Sequence, residues 1–251
     1  MKLFRLLSFV LSSVLGTACS QSQAQYTWVD LPTVNMDIVL IDQLKNLQLF
    51  LNDAQHRPYH NFKSLEKNLG SCKTLQFAMN AGMYHANYQP VGLYIEQGQG
   101  YTPLNYDNGA GNFFMQPNGV FAWNEQNAVI KTTADYASTN FVANYATQSG
   151  PMLVINGQIN PQFLKDSKSL KIRNGVGVKN NQVYFVISRT PVSFYEFAKV
   201  FKEDLAIDQA LYLDGSISSI YLPTQNLYLQ RAKLGPIVAL LADEQCHAEL
   251  N

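Results

Sequence analysis

The chain has 251 residues, with 18 basic and 18 acidic side chains and a formal net charge of zero. Charged residues make up only 14%, and no basic excess exists to hold a phosphate backbone, which argues against nucleic acid as a partner. Many Tyr, Asn and Gln beside few Lys suit an exported protein that handles polar, uncharged surfaces such as sugars.

Residues 1–24 read as an export signal and tether. Lys2 and Arg5 precede the apolar run Leu6 to Leu15, which is too short for a stable membrane span. Two exits are open. Leu15-Gly16-Thr17-Ala18-Cys19 resembles a bacterial lipobox, which would make Cys19 a lipidated N-terminus and Ser20-Gln21-Ser22-Gln23 its tether. Alternatively, Ser22-Gln23-Ala24 offers an ordinary cleavage site. Either exit places the protein in the bacterial periplasm or cell envelope, tethered to the membrane only in the first case. Three cysteines are an odd number for an oxidising compartment. With Cys19 lipidated, Cys72 and Cys246 are left to form a disulfide. It would close a loop of about 170 residues and contribute on the order of 5 kcal/mol in the chain-entropy picture. The alternative is two buried thiols. Residues 25–251 are enough for one well-cored domain.

In chain order, Tyr26 to Asp37 reads as a first strand interrupted by Pro32, and Leu47 to Leu51 as a second. Phe62, Leu65 and Leu69 have helical spacing that stops at Gly70. Thr74 to Met79 and Val91 to Ile95 are strands. Asn112 to Trp123 holds the turn Pro117-Asn118-Gly119, and Tyr136 to Tyr145 reads as a helix. Met152 to Ile155 is a short buried strand followed by Asn156-Gly157, a hairpin signal. Ile172 to Val178 and Val183 to Ile187 flank a second hairpin turn. Ser193-Phe194-Tyr195-Glu196 fits a capping box opening a helix whose Phe194, Phe197, Ala198 and Phe201 share one face. Ala210 to Leu213 and Ile237 to Leu241 read as strands, and Ile220 to Leu222 as a strand or short helix beyond the Gly215 turn. The pattern predicts an α+β fold with a mixed to largely antiparallel sheet and a few packed helices.

Five small-residue turns follow apolar strands: Asn80-Ala81-Gly82, Pro117-Asn118-Gly119, Gln148-Ser149-Gly150-Pro151, Arg173-Asn174-Gly175 and Asp214-Gly215-Ser216. Each puts a polar side chain beside a glycine, where backbone can approach a ligand closely. His56 and His60 are separated by Pro58, which opposes a helix that would align them, and His85 and His247 stand alone. An oxygen-ligated ion through Asp214 or Asp107 stays open, but the expectation is no metal and no cofactor. Gly215-Ser216-Ile217-Ser218 lacks the spacing of a nucleophile elbow, and no lysine-bearing phosphate loop is present.

Asn80-Ala81-Gly82-Met83-Tyr84, Gln148-Ser149-Gly150-Pro151-Met152-Leu153, Arg173-Asn174-Gly175-Val176-Gly177-Val178 and Leu213-Asp214-Gly215-Ser216 resemble, in that order, the motifs of the phosphodiester glycosidase domain family. The resemblance spans roughly residues 72 to 242. It is strongest to a bacterial branch of exported proteins, and Ser216-Ile217-Ser218-Ser219 departs from the further glycines usual after the Asp-Gly pair. The resemblance implies cleavage of the sugar–oxygen bond of a sugar-1-phosphodiester in an envelope or exopolysaccharide glycan. It casts Asp214 as the catalytic carboxylate and Arg173 as a phosphate clamp. Asn80, Gly82, Tyr84, Gln148, Ser149, Gly150, Asn174, Gly215 and Ser216 would surround the carbohydrate or sugar-phosphate substrate. The alternative is a non-catalytic glycan-binding or envelope-assembly protein of the same fold.

Overall fold

The computed structural model describes residues 26–28 and 35–243. The export signal, Cys19 and Cys246 lie outside the described residues, and with them the lipidation and the Cys72–Cys246 pairing. In chain order the strands are β1 (Tyr26–Trp28), β2 (Met36–Ile41), β3 (Leu47–Phe50), β4 (Lys73–Asn80), β5 (Tyr94–Glu96), β6 (Gln99–Thr102), β7 (Gly119–Trp123), β8 (Ala128–Thr132), β9 (Tyr145–Ser149), β10 (Met152–Ile155), β11 (Gln158–Ile159), β12 (Asn174–Lys179), β13 (Gln182–Ser188), β14 (Gln209–Tyr212), β15 (Ile220–Leu222), β16 (Leu227–Leu229) and β17 (Ile237–Asp243). The α-helices are α1 (Phe62–Asn68), α2 (Thr133–Ala137) and α3 (Phe194–Lys199).

Three sheets result. The first runs β1-β2-β13-β12-β14-β10-β11, the second β16-β15-β4-β17-β3 and the third β6-β5-β9-β7-β8. The strand pairs within them are antiparallel. Two tight turns set register in the first sheet. Asn180 and Asn181 both take positive φ, 51° and 64°, and close β12 onto β13 with Lys179 opposite Gln182. Asn156 and Gly157, at 49° and 73°, do the same for β10 and β11. Those left-handed pairs match the twist of the strands they join.

The helices start on side-chain caps. Ser64 N donates to Asn61 Oδ1 at 2.7 Å ahead of α1, and Glu196 N donates to Ser193 Oγ at 3.1 Å ahead of α3. Phe197 and Phe201 are fully buried, the second in a π-helical turn (Val200–Asp204) that prolongs α3. One apolar core draws on all three sheets, with Val39, Leu47, Phe77, Phe121, Val176, Leu211 and Val238 among its members.

Several expectations change. Tyr136–Tyr145 is not a helix: α2 ends at Ala137, and Tyr145 begins β9. Val91–Ile95 is strand only from Tyr94. The first strand resolves into β1 and β2, which pair with each other. This arrangement brings the C-terminal end of β4, in the second sheet, to the start of β12 and the end of β14, which are neighbours in the first.

Candidate active site

Asp214 lies two residues past β14, and its backbone is gripped on both sides. Its N–H donates to Asn174 Oδ1 at 3.1 Å, and its carbonyl accepts from Asn80 Nδ2 at 3.2 Å. Asn174 Nδ2 in turn donates to Asn80 Oδ1 at 3.0 Å, and Ser219 N donates to the same oxygen at 2.9 Å. One residue earlier, the Leu213 carbonyl accepts from Ser149 Oγ at 2.7 Å. Asn80, Asn174 and Ser149 are fully buried. A buried amide must satisfy both its donors and its acceptor, so two paired asparagines fix one geometry for the chain between them.

The carboxylate itself points outward. Asp214 Oδ1 accepts from Ser216 N at 3.1 Å and from Ser216 Oγ at 2.9 Å. Both bonds use one oxygen, which leaves Oδ2 for a ligand. Gly215 is required by close approach: a Cβ there would lie 1.9 Å from Tyr212 Oη and 2.7 Å from the Ile172 carbonyl. The side chain faces a cleft of about 300 Å³ lined by Tyr84, His85, Asn112, Phe114, Asp214 and Ser216. Burial pushes the Asp214 pKa up, and the Ser216 hydrogen bonds oppose that only in part. Tyr84 is pushed up to about 12, first by burial and then by the Asp214 charge, and its hydroxyl donates to the Lys233 carbonyl.

Of the residues expected around the substrate, Tyr84, Asp214 and Ser216 line this cleft, and Asn80 and Asn174 lie beneath it. Gly215 is buried under the turn. The others have different work. Gln148 is buried, with Oε1 accepting from Leu93 N and Asn105 N and Nε2 donating to the Asn105 carbonyl and Thr133 Oγ1. It pins the 91–105 segment and has no group left for a sugar. Ser149 holds the Leu213 carbonyl. Gly150 fits tightly against Asn118 and the Phe113 carbonyl. Gly82, at φ 140°, leaves room for Thr147 Oγ1, which donates to the Ala81 carbonyl at 2.7 Å.

Arg173 stands apart from the cleft lining. Its side chain is almost fully buried, with its guanidinium carbon 3.6 Å from the Phe194 ring centroid. Nε donates to the Val192 carbonyl at 2.9 Å and an Nη to the Ser169 carbonyl at 3.0 Å. This cation braces the loop before β12 against α3, and it is not among the described residues that line the cleft. Conversely, His85, Asn112 and Phe114 line the cleft without having been singled out as site residues. His85 carries a sequence signal, since it directly follows the Asn80–Tyr84 turn. Asn112 and Phe114 carry none, since a separate loop brings them in.

The arrangement offers one partly buried carboxylate of raised proton affinity, held in a rigid turn at the side of a polar-aromatic cleft. That suits stabilisation of developing positive charge, or attack on an electrophilic carbon. The sequence pattern of the phosphodiester glycosidase family matches residues 73–233, a stretch that contains every residue of this site. The uncharacterized protein YigE of Escherichia coli (strain K12) is 36% identical over 217 residues, covering 85% of this chain and 84% of YigE. Among solved structures, the catalytic domain of zebrafish N-acetylglucosamine-1-phosphodiester alpha-N-acetylglucosaminidase, auto-inhibited by its pro-peptide, superposes with a TM-score of 0.58 at 14% identity. That match covers 86% of this chain and 81% of the zebrafish domain, so the fold is shared. The chain therefore belongs to the phosphodiester glycosidase family.

Proposed function

We propose that this protein is an exported hydrolase that cleaves the sugar–oxygen bond of a sugar-1-phosphodiester in an envelope or exopolysaccharide glycan. The observation that carries this reading is the position of Asp214: among the described residues lining the cleft it is the one carboxylate, and its backbone is clamped by Asn80 and Asn174. Ordinary glycosidases use two carboxyl groups, one of which protonates the departing oxygen. A phosphate leaving group has a second pKa near 6, so it departs with little protonation. One ionised carboxylate beside the anomeric carbon is then sufficient. Asp214 supplies it as nucleophile, as base toward water or as the charge that stabilises the oxocarbenium-like transition state. Export through residues 1–24, lipidation of Cys19 and pairing of Cys72 with Cys246 belong to the same proposal, because the substrate lies outside the cytoplasm.

The test is release of free reducing sugar from benzyl phosphodiesters of hexose-1-phosphates by the purified mature chain. Asp214→Asn is expected to lower kcat/KM by at least about 100-fold while leaving the circular dichroism spectrum unchanged. Wild-type protein that binds these glycosyl phosphates without releasing sugar would replace the hydrolase with the glycan-binding reading.

A further inference from the structure

Arg173 is buried against Phe194, and among the described residues that line the cleft there is no lysine or arginine to meet a phosphodiester. Among the described residues lining it, the ionisable side chains are Tyr84, His85 and Asp214. Asp214 carries negative charge when active and repels a phosphate. Tyr84 is neutral near pH 7, and its hydroxyl is already donated to the Lys233 carbonyl. That leaves the exposed imidazole of His85.

The local fold holds the backbone of His85 firmly. His85 N donates to the Gln89 carbonyl at 2.8 Å, and Tyr88 N donates to the His85 carbonyl at 2.8 Å, closing a tight turn between Tyr84 and its bridge partner Pro90. Tyr88 takes φ 66°, an uncommon conformation for a bulky side chain. It is braced there by its ring, which stacks on Tyr84 with centroids 5.6 Å apart and meets His60 edge-on at 4.2 Å. A conformation of that kind persists only when its surroundings over-determine it, and such sites concentrate where a ligand is gripped.

We propose that His85 is the group that receives the substrate's phosphate in the Asp214 cleft, in the place expected for Arg173. This rests on the phosphodiester reading of the site and names the part of the substrate that His85 contacts. The sugar then lies toward Asp214 and the phosphate toward the 85–89 turn. The ring N–H groups of the imidazole are the donors offered to the phosphate oxygens there.

The experiment uses the full mature chain and two readouts. The first is the steady-state hydrolysis of a benzyl hexose-1-phosphodiester. His85→Ala is expected to raise KM about tenfold and to change kcat much less. His85→Lys is expected to restore KM. The second readout is binding: glucose-1-phosphate should shift the His85 imidazole resonances in wild-type protein, and its affinity should fall in His85→Ala. A wild-type enzyme that turns over substrate while His85→Ala keeps its KM overturns the role of His85. An inactive wild-type chain removes the hydrolase reading alone. In that case unshifted His85 resonances, or unchanged affinity in His85→Ala, would overturn the phosphate contact as well.

Discussion

Burial disfavours the ionised form of Asp214 in the folded chain, and the Ser216 hydrogen bonds restore only part of the difference. The folded protein thus holds this proton more tightly than the unfolded chain does. The stability linked to it is fully present at low pH and is lost as the pH rises through the raised pKa. Two consequences follow. The acid limb of the rate profile should lie above the ordinary aspartate range, because the carboxylate must ionise to act. The inactive Asp214→Asn should also melt at a higher temperature than wild type at pH 7, with the gap closing below about pH 3.9, where an ordinary aspartate is protonated. A variant that melted lower at pH 7 would show that the carboxylate contributes bonds the asparagine cannot replace. Gly215 is a second single-residue dependency. A methyl group there meets Tyr212 Oη and the Ile172 carbonyl, and neither backbone nor a fully buried ring yields easily. Gly215→Ala should cost about 1–3 kcal/mol by urea unfolding, and it should reduce turnover more than that loss of folded protein explains.

At the level of elements, the site depends on two strands from different sheets. Asn80 ends β4 in one and Asn174 begins β12 in the other, and their side chains exchange bonds across the junction. Asn80→Ala would leave the Asp214 carbonyl, Ser219 N and Asn174 Nδ2 short of their buried partner. The expected loss is at least about 2 kcal/mol. Because the two amides act together, Asn80→Ala with Asn174→Ala should cost less than the sum of the single changes, by about 0.5–3 kcal/mol in a double-mutant cycle. Strict additivity would show that the two residues act separately. The strand ends and their turns were readable in the sequence, since apolar runs stop at Asn-Ala-Gly and Asp-Gly-Ser. The partnership was not, because 94 residues separate the two asparagines. β9 was missed for a related reason. Thr147, Gln148 and Ser149 are all buried, so the strand shows no apolar alternation, and its side chains bond to loops that local pattern cannot reveal.

Across the whole molecule, the sheets are tied through aromatic residues. Phe121 stacks on Trp123 and Trp123 on Tyr145 within the third sheet, with centroids 4.5 and 5.3 Å apart. Trp123 Nε1 donates to the Leu47 carbonyl of the second sheet at 2.8 Å, and Phe121 meets Phe185 of the first at 6.0 Å. A sequence announces that such residues are buried but not which sheet they face. The fate of Arg173 was hidden in the same way: the neighbours that made it structural, Phe194 and the carbonyls of Ser169 and Val192, depend on how α3 packs. A core shared this widely should make the sheets lose structure together. Trp123→Ala removes the central ring and should cost about 3–5 kcal/mol. Native-state hydrogen exchange locates where that loss is felt. If the core is common, the slowest amides of β12, in the first sheet, should lose about as much protection as those of β7, although Trp123 lies in the third. If β7 alone weakened while β12 kept its wild-type protection, the sheets would open independently. The clamp on Asp214, built from β4, β12 and β14, would then be insulated from the third sheet. Equal losses would mean that damage far from the cleft reaches the carboxylate through the core.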